Sequence, residues 1–334
     1  MEEQSPLLQA QTLFSQQVPF RNLDAEKIKL AEALGRTISF DVVAPEDMPP
    51  YPRAIVEGYL VKASATQGAT EENPKSFHVM GAIEPGDEGF PDINDDQALS
   101  VVTGSIVPNE GYAIVRMWEA TQQEDKVIAA TRDFSPNFFI ETQGCDHEKG
   151  SVILEAGTQI TPWEIGVLAS FSILEVDVVK QPVVAVFASG NEVISPEETM
   201  RPGAIRDSNS LMLNAAVVQA GGQAKVYGII EDDFDYFLSQ LKEALLSTDM
   251  VVISGGTAIG GRDFVSDLIR EVGDLLVDGV QMRSGRPLIM GVANDKPIIC
   301  VAGHPPEALR GFKLFGVAAL NRLLGRELAV PEDQ

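Results

Sequence analysis

The feature that most constrains the fold is a regular alternation of β-rich and helical segments from residue 181 to residue 324. Apolar runs such as PVVAVFAS and DMVVIS alternate with amphipathic segments such as DYFLSQLKEALLS and FVSDLIREV, and a last helical pattern covers PEALRGFKLFGVAALNRLL. This alternation is typical of a mostly parallel sheet with helices on both faces. We therefore predict an α/β domain over 181–326, followed by a short tail at 327–334.

The pattern of residue types is different upstream of this domain. From residue 45 to 135, short β-rich runs are separated by Pro, Gly and acidic turns, which predicts a small all-β domain. It is inserted between the two parts of an N-terminal helical and linking domain, 1–44 and 136–180.

Two helices are predicted within this linking domain. Apolar residues recur at helical spacing over 24–34, and Gly35 follows as a stop signal. Further on, Thr161 followed by Pro162 and Glu164 has the pattern of a capping box with proline at the first helical position.

Charge narrows the choice of partners. The net charge is −24, so nucleic acid and anionic membrane surfaces are disfavoured. No apolar run approaches the roughly 20 residues that span a bilayer, and the N-terminus lacks the basic and apolar regions of a signal peptide. We expect a cytoplasmic protein that binds neither nucleic acid nor a membrane.

Carboxylates follow successive strands of the predicted α/β sheet. Glu192 follows the first strand, Asp232 the second, and Asp263 stands beyond the third. Ligands of open α/β sheets bind beyond the carboxyl ends of the strands, and grouped carboxylates suit Mg²⁺. The alternative is that Asp232, Asp233 and Asp263 are helix N-caps.

The same edge carries features that suit an anion. After the third strand, Ser254, Gly255 and Gly256 expose backbone N–H groups before a helix, where phosphate binds well. Arg283 and Arg286 flank a turn and match phosphate oxygens, although they could equally be solvated surface side chains. The order of residues is not that of a Walker loop or a Rossmann loop.

Other conspicuous side chains are less specific. Gly303, His304 and Pro305 form a further corner at the same edge, and His304 is either a ligand contact or a plain loop residue. Trp118 and Trp163 are more typical of core or interface aromatics than of stacking platforms. Cys300 lies in an apolar strand and is expected to be a buried structural thiol.

Taken together, these motifs resemble the MoeA-type molybdopterin molybdenumtransferases, the family that includes the gephyrin E domain. The resemblance covers nearly the whole chain in the same order. Its segments are SGG-x-x-x-G-x-x-D at 254–263, GNE at 190–192, IEDD at 230–233, RSGRP at 283–287, AGHP at 302–305, TGS-x-x-P at 103–108, and PPY through EGY at 49–59.

The resemblance implies an α/β molybdopterin-binding fold with an inserted all-β domain, in an elongated multidomain homodimer with a composite active site. The implied reaction inserts molybdate into adenylylated molybdopterin with Mg²⁺ and releases AMP, and other molybdenum cofactor biosynthesis proteins are potential partners. The residues carried over fall into two groups. The catalytic residues are Glu57, Glu192, Asp232 and Asp263, the last three also as metal ligands. The pterin- or phosphate-binding residues are Thr103, Ser254, Gly255, Gly256, Gly260, Arg283, Arg286, Gly303, His304 and Pro305.

The chain also departs from the family pattern. Glu57 replaces an aspartate used in the transfer, Ala258 an inner serine, Gly279 a lysine and Ala302 a proline. The family's C-terminal β domain has no counterpart in this sequence. Two functions therefore stay open: a working molybdenumtransferase, or an impaired paralogue that binds molybdopterin or the finished cofactor as a carrier, sensor or maturation factor.

Overall fold

The structure is a computed structural model that describes residues 6–18, 21–124, 127–231, 233–255, 264–282 and 285–326. The chain divides into two compact units. The α/β unit comprises 1–40, 155–169 and 173–334, and the β unit comprises 41–154 and 170–172. The finer division into a separate linking domain at 1–44 and 136–180 stays a prediction.

The elements are numbered in chain order. The helices are α1 Pro6–Gln17, α2 Pro162–Ser170, α3 Asn209–Gln219, α4 Phe234–Ser247, α5 Phe264–Val272, α6 Pro305–Gly311 and α7 Val317–Leu323, with 3₁₀ turns at Leu30–Glu32 and Ala63–Thr66 and a π-helical segment at Phe312–Gly316. The strands are β1 Ala25–Lys29, β2 Val42–Val43, β3 Arg53–Ala54, β4 Gly58–Lys62, β5 Lys75–Ile83, β6 Gln97–Val101, β7 Tyr112–Arg116, β8 Thr121–Glu124, β9 Val127–Ala130, β10 Ile140–Glu141, β11 Val152–Leu154, β12 Glu175–Val179, β13 Val183–Ser189, β14 Val193–Ile194, β15 Ile205–Arg206, β16 Gln223–Ile230, β17 Met250–Gly255, β18 Asp274–Met282, β19 Gly285–Ala293 and β20 Lys296–Val301.

The α/β unit is built on a six-stranded sheet of order β16-β13-β17-β20-β19-β18. Its first four strands are parallel, as predicted, but β19 and β18 are antiparallel additions, so the sheet is mixed. The two-residue turn between β19 and β20, in which Asn294 and Asp295 both have positive φ, explains the difference. Such a turn makes a hairpin, whereas a parallel connection needs a dozen or more residues.

Helices cover both faces of this sheet, as predicted. Alternate residues of the central strands point to opposite sides, so Val184 and Val252 pack with α1, α3, α6 and α7 on one face. Phe187 and Ile253 pack with α4 and α5 on the other. The last predicted helix is one helical run, in which the π-helical segment joins α6 to α7.

The predicted helix over 24–34 is wrong. Residues Ala25–Lys29 form β1, which pairs antiparallel with β12, and only Leu30–Glu32 make a short 3₁₀ turn. The ladder places Ile28 opposite Val176, a partner far away in sequence, and such pairing overrides a weak local helical pattern. The helix of the N-terminal segment is α1, where Phe14 packs edge-on against Phe315.

The β unit contains a second six-stranded sheet, of order β7-β4-β6-β5-β9-β8. Its pairings are antiparallel except that of β5 with β6. Leu60 and Ile114 belong to the core of one face, and Val61 and Val115 to that of the other. In the described part of the chain, no helix combines the length and apolar character that a membrane crossing demands.

The capping box at the start of α2 is confirmed. Trp163 N donates to Thr161 Oγ1 (3.2 Å), Thr161 N donates to Glu164 Oε2 (2.9 Å), and the Thr161 hydroxyl also bonds to that carboxylate. The hydrogen bond from Thr161 holds the pKa of Glu164 below its ordinary value. Both ends of the box are therefore satisfied before Pro162 starts the helix.

We expect Thr161→Ala to lower the free energy of unfolding by about 1 kcal/mol, because an N-cap acceptor is lost. A depressed carboxylate pKa stabilises the fold above the unfolded pKa, near 4.3, and this contribution disappears as the pH falls through the folded value. Urea unfolding at several pH values should therefore show the difference between the variant and the wild type narrowing at low pH without vanishing, because the N-cap bond to Trp163 N does not titrate. Glu164→Gln serves as the control, since it keeps an acceptor but removes the titration. A loss for Thr161→Ala that is independent of pH would contradict the role of the carboxylate.

Candidate functional site

The predicted site residues divide between the two units. The α/β unit holds Glu192, Ser254, Gly255, Gly303, His304 and Pro305, and the β unit holds Glu57 and Thr103. The other predictions fall on Asp232, Gly256, Ala258, Gly260, Asp263 and Arg283, which lie outside the described residues, as does the side chain of Arg286.

In the α/β unit, the ends of three parallel strands meet at one edge. The register sets Ser189 beside Gly255, and Ser254 beside Val301. Gly255 has φ +92°, and a Cβ there would lie 2.5 Å from Ser189 O, so only glycine fits this approach. The backbones of β13 and β17 therefore approach each other directly at this edge.

A buried asparagine joins two of these strand ends. Asn209, the first residue of α3, donates from Nδ2 to Ser254 Oγ and to Gly303 O, both at 2.7 Å. Ser254 Oγ in turn donates to Ala302 O (3.3 Å). Because Asn209 is only 7% exposed, these bonds are shielded from water, and they fix the glycine corners relative to each other.

This network places the side chain of one predicted binding residue, Ser254, inside the protein. Ser254 is 3% exposed, and its hydroxyl both accepts and donates within the protein. Its place is therefore behind the corner, where it orders the backbone around Gly255 and Gly303.

Sequence reasoning missed Asn209. The available signal was the polar run Asp207 to Ser210 at the start of the helix that the sequence predicts from about 208 to 220. Asp207 Oδ1 accepts from Ser210 N (2.9 Å). The side chain of Asn209, which lies between them in sequence, bonds instead to groups at the sheet edge. Local capping chemistry was visible in the run, but its distant partners were not.

The carboxylates at this edge have different roles. Glu192 is exposed, and its Oε2 would lie 2.8 Å from a Cβ on Gly190, so the side chain lies against that glycine. Asp233 is the N-cap of α4 and accepts from Tyr236 N (2.9 Å), which confirms the capping alternative for this residue. Within the described ranges, no three acidic, His or Cys side chains are grouped so as to hold a metal ion.

His304 closes the corner at the start of α6. Its carbonyl accepts from Glu307 N (3.1 Å) and Ala308 N (2.9 Å), while the side chain is exposed. Pro305 begins the helix, and its first turn offers no free N–H to this edge, because Pro305 and Pro306 have none and Glu307 and Ala308 donate to His304 O. Cys300 lies beneath this corner, where burial raises the pKa of its thiol to about 12, as a structural thiol requires.

In the β unit, Glu57 and Thr103 lie at the same end of the sheet. Gly58, next to Glu57, is opposite Val101, and Thr103 follows two residues later. The backbone of Ala54 fixes the turn that carries Thr103, because the Ala54 carbonyl accepts from Gly104 N (2.8 Å) and the Ala54 N–H donates to Ser105 O (2.9 Å). Both predicted side chains are exposed.

The end of β7 adds groups that sequence reasoning did not place here. Met117 N donates to Glu57 O (3.1 Å), so the turn after Arg116 runs beside Glu57. Arg116 donates twice to Glu119, at 3.0 and 2.7 Å, and this bond, helped by Arg132, lowers the pKa of Glu119. Trp118 is 69% exposed, so a place in the core is wrong for it. The run YAIVRMWEA predicted only a strand.

An open α/β sheet of this kind binds its ligands beyond the carboxyl ends of its parallel strands. Comparison with known proteins makes the class specific. Residues 5–172 match the MoeA N-terminal region (domains I and II), and residues 185–322 match a probable molybdopterin binding domain. The chain belongs to the MoeA family of molybdenum cofactor biosynthesis proteins.

Individual relatives agree with this result. A Staphylococcus epidermidis protein named molybdopterin molybdenumtransferase is 29% identical over 321 residues, 96% of this chain and 76% of the relative. One of the same name from Bacillus subtilis is 33% identical over 297 residues, 87% and 69% of the two chains. The crystal structure of the molybdopterin biosynthesis MoeA protein from Pyrococcus horikoshii OT3 has a TM-score of 0.80 at 28% identity, covering 97% of this chain and 80% of that one.

We expect Asn209→Ala to lower the free energy of unfolding by about 1–3 kcal/mol, because the buried groups that Asn209 bonds lose their partner. Chemical denaturation measures the change. Asn214→Ala is the control on the same helix, since the described residues give Asn214 no side-chain hydrogen bond. Equal effects of the two substitutions would show that the Asn209 network does not hold the corners.

Proposed function

We propose that the protein is a molybdopterin molybdenumtransferase, which inserts molybdate into adenylylated molybdopterin and releases AMP. The observation that carries the proposal is the meeting of Gly255, Gly303 and the start of α6 at one sheet edge. The family membership and the names of the relatives identify the substrate class for which this edge would serve.

The edge supports binding of a phosphorylated pterin for an electrostatic reason. The chain as a whole carries −24 charges and repels anions, so an anionic substrate needs a local exception. Exposed backbone N–H groups at glycine corners supply one without a positive side chain. We assign Gly255, Gly303 and His304 to this role, with Pro305, which has no N–H, shaping the corner, Ser254 and Asn209 as positioning residues, and Gly256, Gly260, Arg283 and Arg286 as expected contributors.

Glu57 is the residue that we propose for the transfer step. It is an exposed carboxylate at the end of the β-unit sheet, with Thr103 at the same end. A carboxylate at this place can accept a proton from a dithiolene thiol as its sulfur bonds to molybdenum and pass it to the molybdate oxygen, which leaves as water with the two thiol protons.

We propose Mg²⁺ as a cofactor that offsets phosphate charge. Glu192 would be one ligand, and its exposure at the strand end agrees with an ion that keeps several waters. Asp232 and Asp263 complete the expected set.

The proposed assembly is a cytoplasmic homodimer, in which the edge of one α/β unit and the Glu57 end of the partner's β unit make a composite site. The expected domains, 1–44 with 136–180, 45–135 and 181–326, belong to the same proposal. Docking with other molybdenum cofactor biosynthesis proteins is a further part of it.

One observation favours a second candidate function. Glu57 carries its carboxylate one methylene further from the backbone than the aspartate of the family pattern, and a shift of about 1 Å at a reacting centre can cost on the order of 10²-fold in rate. The alternative is therefore a paralogue that binds molybdopterin or the finished cofactor as a carrier, sensor or maturation factor.

We expect the purified protein to release AMP when it is given adenylylated molybdopterin, molybdate and Mg²⁺. Glu57→Gln should lower the rate by on the order of 10²-fold and leave substrate affinity nearly unchanged, because the neutral side chain cannot accept a proton. Glu71→Gln, an exposed acid in a turn of the same unit, is the control and should keep full activity.

The same assay separates the two functions. Pterin binding without AMP release, in both the wild type and Glu57→Asp, would favour the alternative function as a carrier, sensor or maturation factor. Absence of pterin binding would contradict both candidates.

A further inference from the structure

An exposed aromatic side chain, Trp118, follows a residue that bonds to the backbone of Glu57. Trp118 lies in the turn that follows β7, and the preceding residue, Met117, bonds to Glu57 O (3.1 Å). Arg116, at the end of β7, is opposite Gly58 in the sheet. The indole is therefore carried by the same strand ends as Glu57 and Thr103.

A fixed cation supports the indole. Arg116 Cζ lies 4.9 Å from the centre of the Trp118 ring and 4.8 Å from that of Phe139, so the guanidinium contacts both rings. Its hydrogen bonds to Glu119, at 3.0 and 2.7 Å, fix its plane. Arg116 thus holds Trp118 by a cation–π contact in which the cation itself is immobilised.

The support continues behind Arg116. Arg132 lies 4.1 Å from the ring centre of Phe134 and 4.9 Å from that of Phe138, and it also bonds to Glu119 (3.2 Å). Phe138 meets Phe139 edge-on, with centres 4.3 Å apart. Trp118 is the exposed end of this packed series of arginines and rings.

Such an arrangement suits a planar heteroaromatic ring. A largely exposed indole that is already held in place loses little conformational entropy when a ring stacks on it. Stacking accepts any flat π system, and a carboxylate at the same end of the sheet can accept hydrogen bonds from ring N–H and amino groups. Pterin and adenine both have this chemistry.

We propose that Trp118 is the stacking platform for the planar nitrogen heterocycle of the substrate, either its pterin or its adenine. This inference rests on the proposed function, since adenylylated molybdopterin contains both rings. Arg116 is a positioning residue that holds the platform.

The chain offers a matched control, because its two tryptophans are similarly exposed, at 69% for Trp118 and 75% for Trp163. Trp163→Phe leaves Trp118 as the sole reporter, and Trp118→Phe leaves Trp163. The probes are AMP, 6-hydroxymethylpterin, and ribose 5-phosphate, which lacks an aromatic ring. With each probe at saturation, quenching by acrylamide measures whether the remaining indole is covered.

We expect AMP or the pterin to protect Trp118 from acrylamide and to leave Trp163 accessible, while ribose 5-phosphate protects neither. Trp118→Ala should weaken binding of the protected ring about tenfold or more, and Trp118→Tyr should keep most of the affinity, because stacking needs only an aromatic face. The probe whose affinity falls identifies the ring as adenine or pterin.

Two further results would overturn the inference. Unchanged affinity of Trp118→Ala for both ringed probes, with AMP release from adenylylated molybdopterin intact, would reject the platform and leave the proposed function standing. If the wild type binds neither AMP, nor 6-hydroxymethylpterin, nor adenylylated molybdopterin, both the stacking platform and the proposed function are rejected.

Discussion

The structure of the α/β unit depends on the parallel pairing of β13, β17 and β20. These strands are buried almost throughout, and alternate side chains enter the two separate cores. A parallel sheet buried in this way needs a helix layer on each face, because both sets of side chains must leave water. Parallel direction also brings the strand ends to one edge, and the candidate site is a consequence of that geometry.

The site is held together mostly by neutral groups. Asn209 joins the corners at Ser254 and Gly303 from a position with little access to water, where hydrogen bonds are strong and an unpaired group is costly. In a chain of charge −24, corners made of charged side chains would need paired counter-charges. An edge held together by backbone and neutral side chains avoids this requirement.

The candidate residues of the β unit are exposed side chains at the end of its sheet. Its sheet end presents exposed side chains, Glu57, Thr103 and Trp118, from strands that are well packed behind them. Arg116 links the packed part to the exposed part through its contacts with Phe139 and Trp118. Exposed side chains can be placed accurately in this way because the strands that carry them are well packed.

The sequence by itself determined the elements whose signals are local. The capping box of Thr161 and Glu164, the helices α3 to α5 and the strand ends at Ser189 and Gly255 follow from periodicity, caps and glycines within a few residues. Tertiary structure alone decided the features that depend on distant partners. Ala25–Lys29 became a strand because β12 pairs with it, Asn209 became a site residue because Ser254 and Gly303 meet it, and Trp118 reached the Glu57 end through the register of β4 and β7. The reason is physical: propensity and capping act between neighbours in sequence, whereas ladder register and side-chain networks form only when the chain closes on itself.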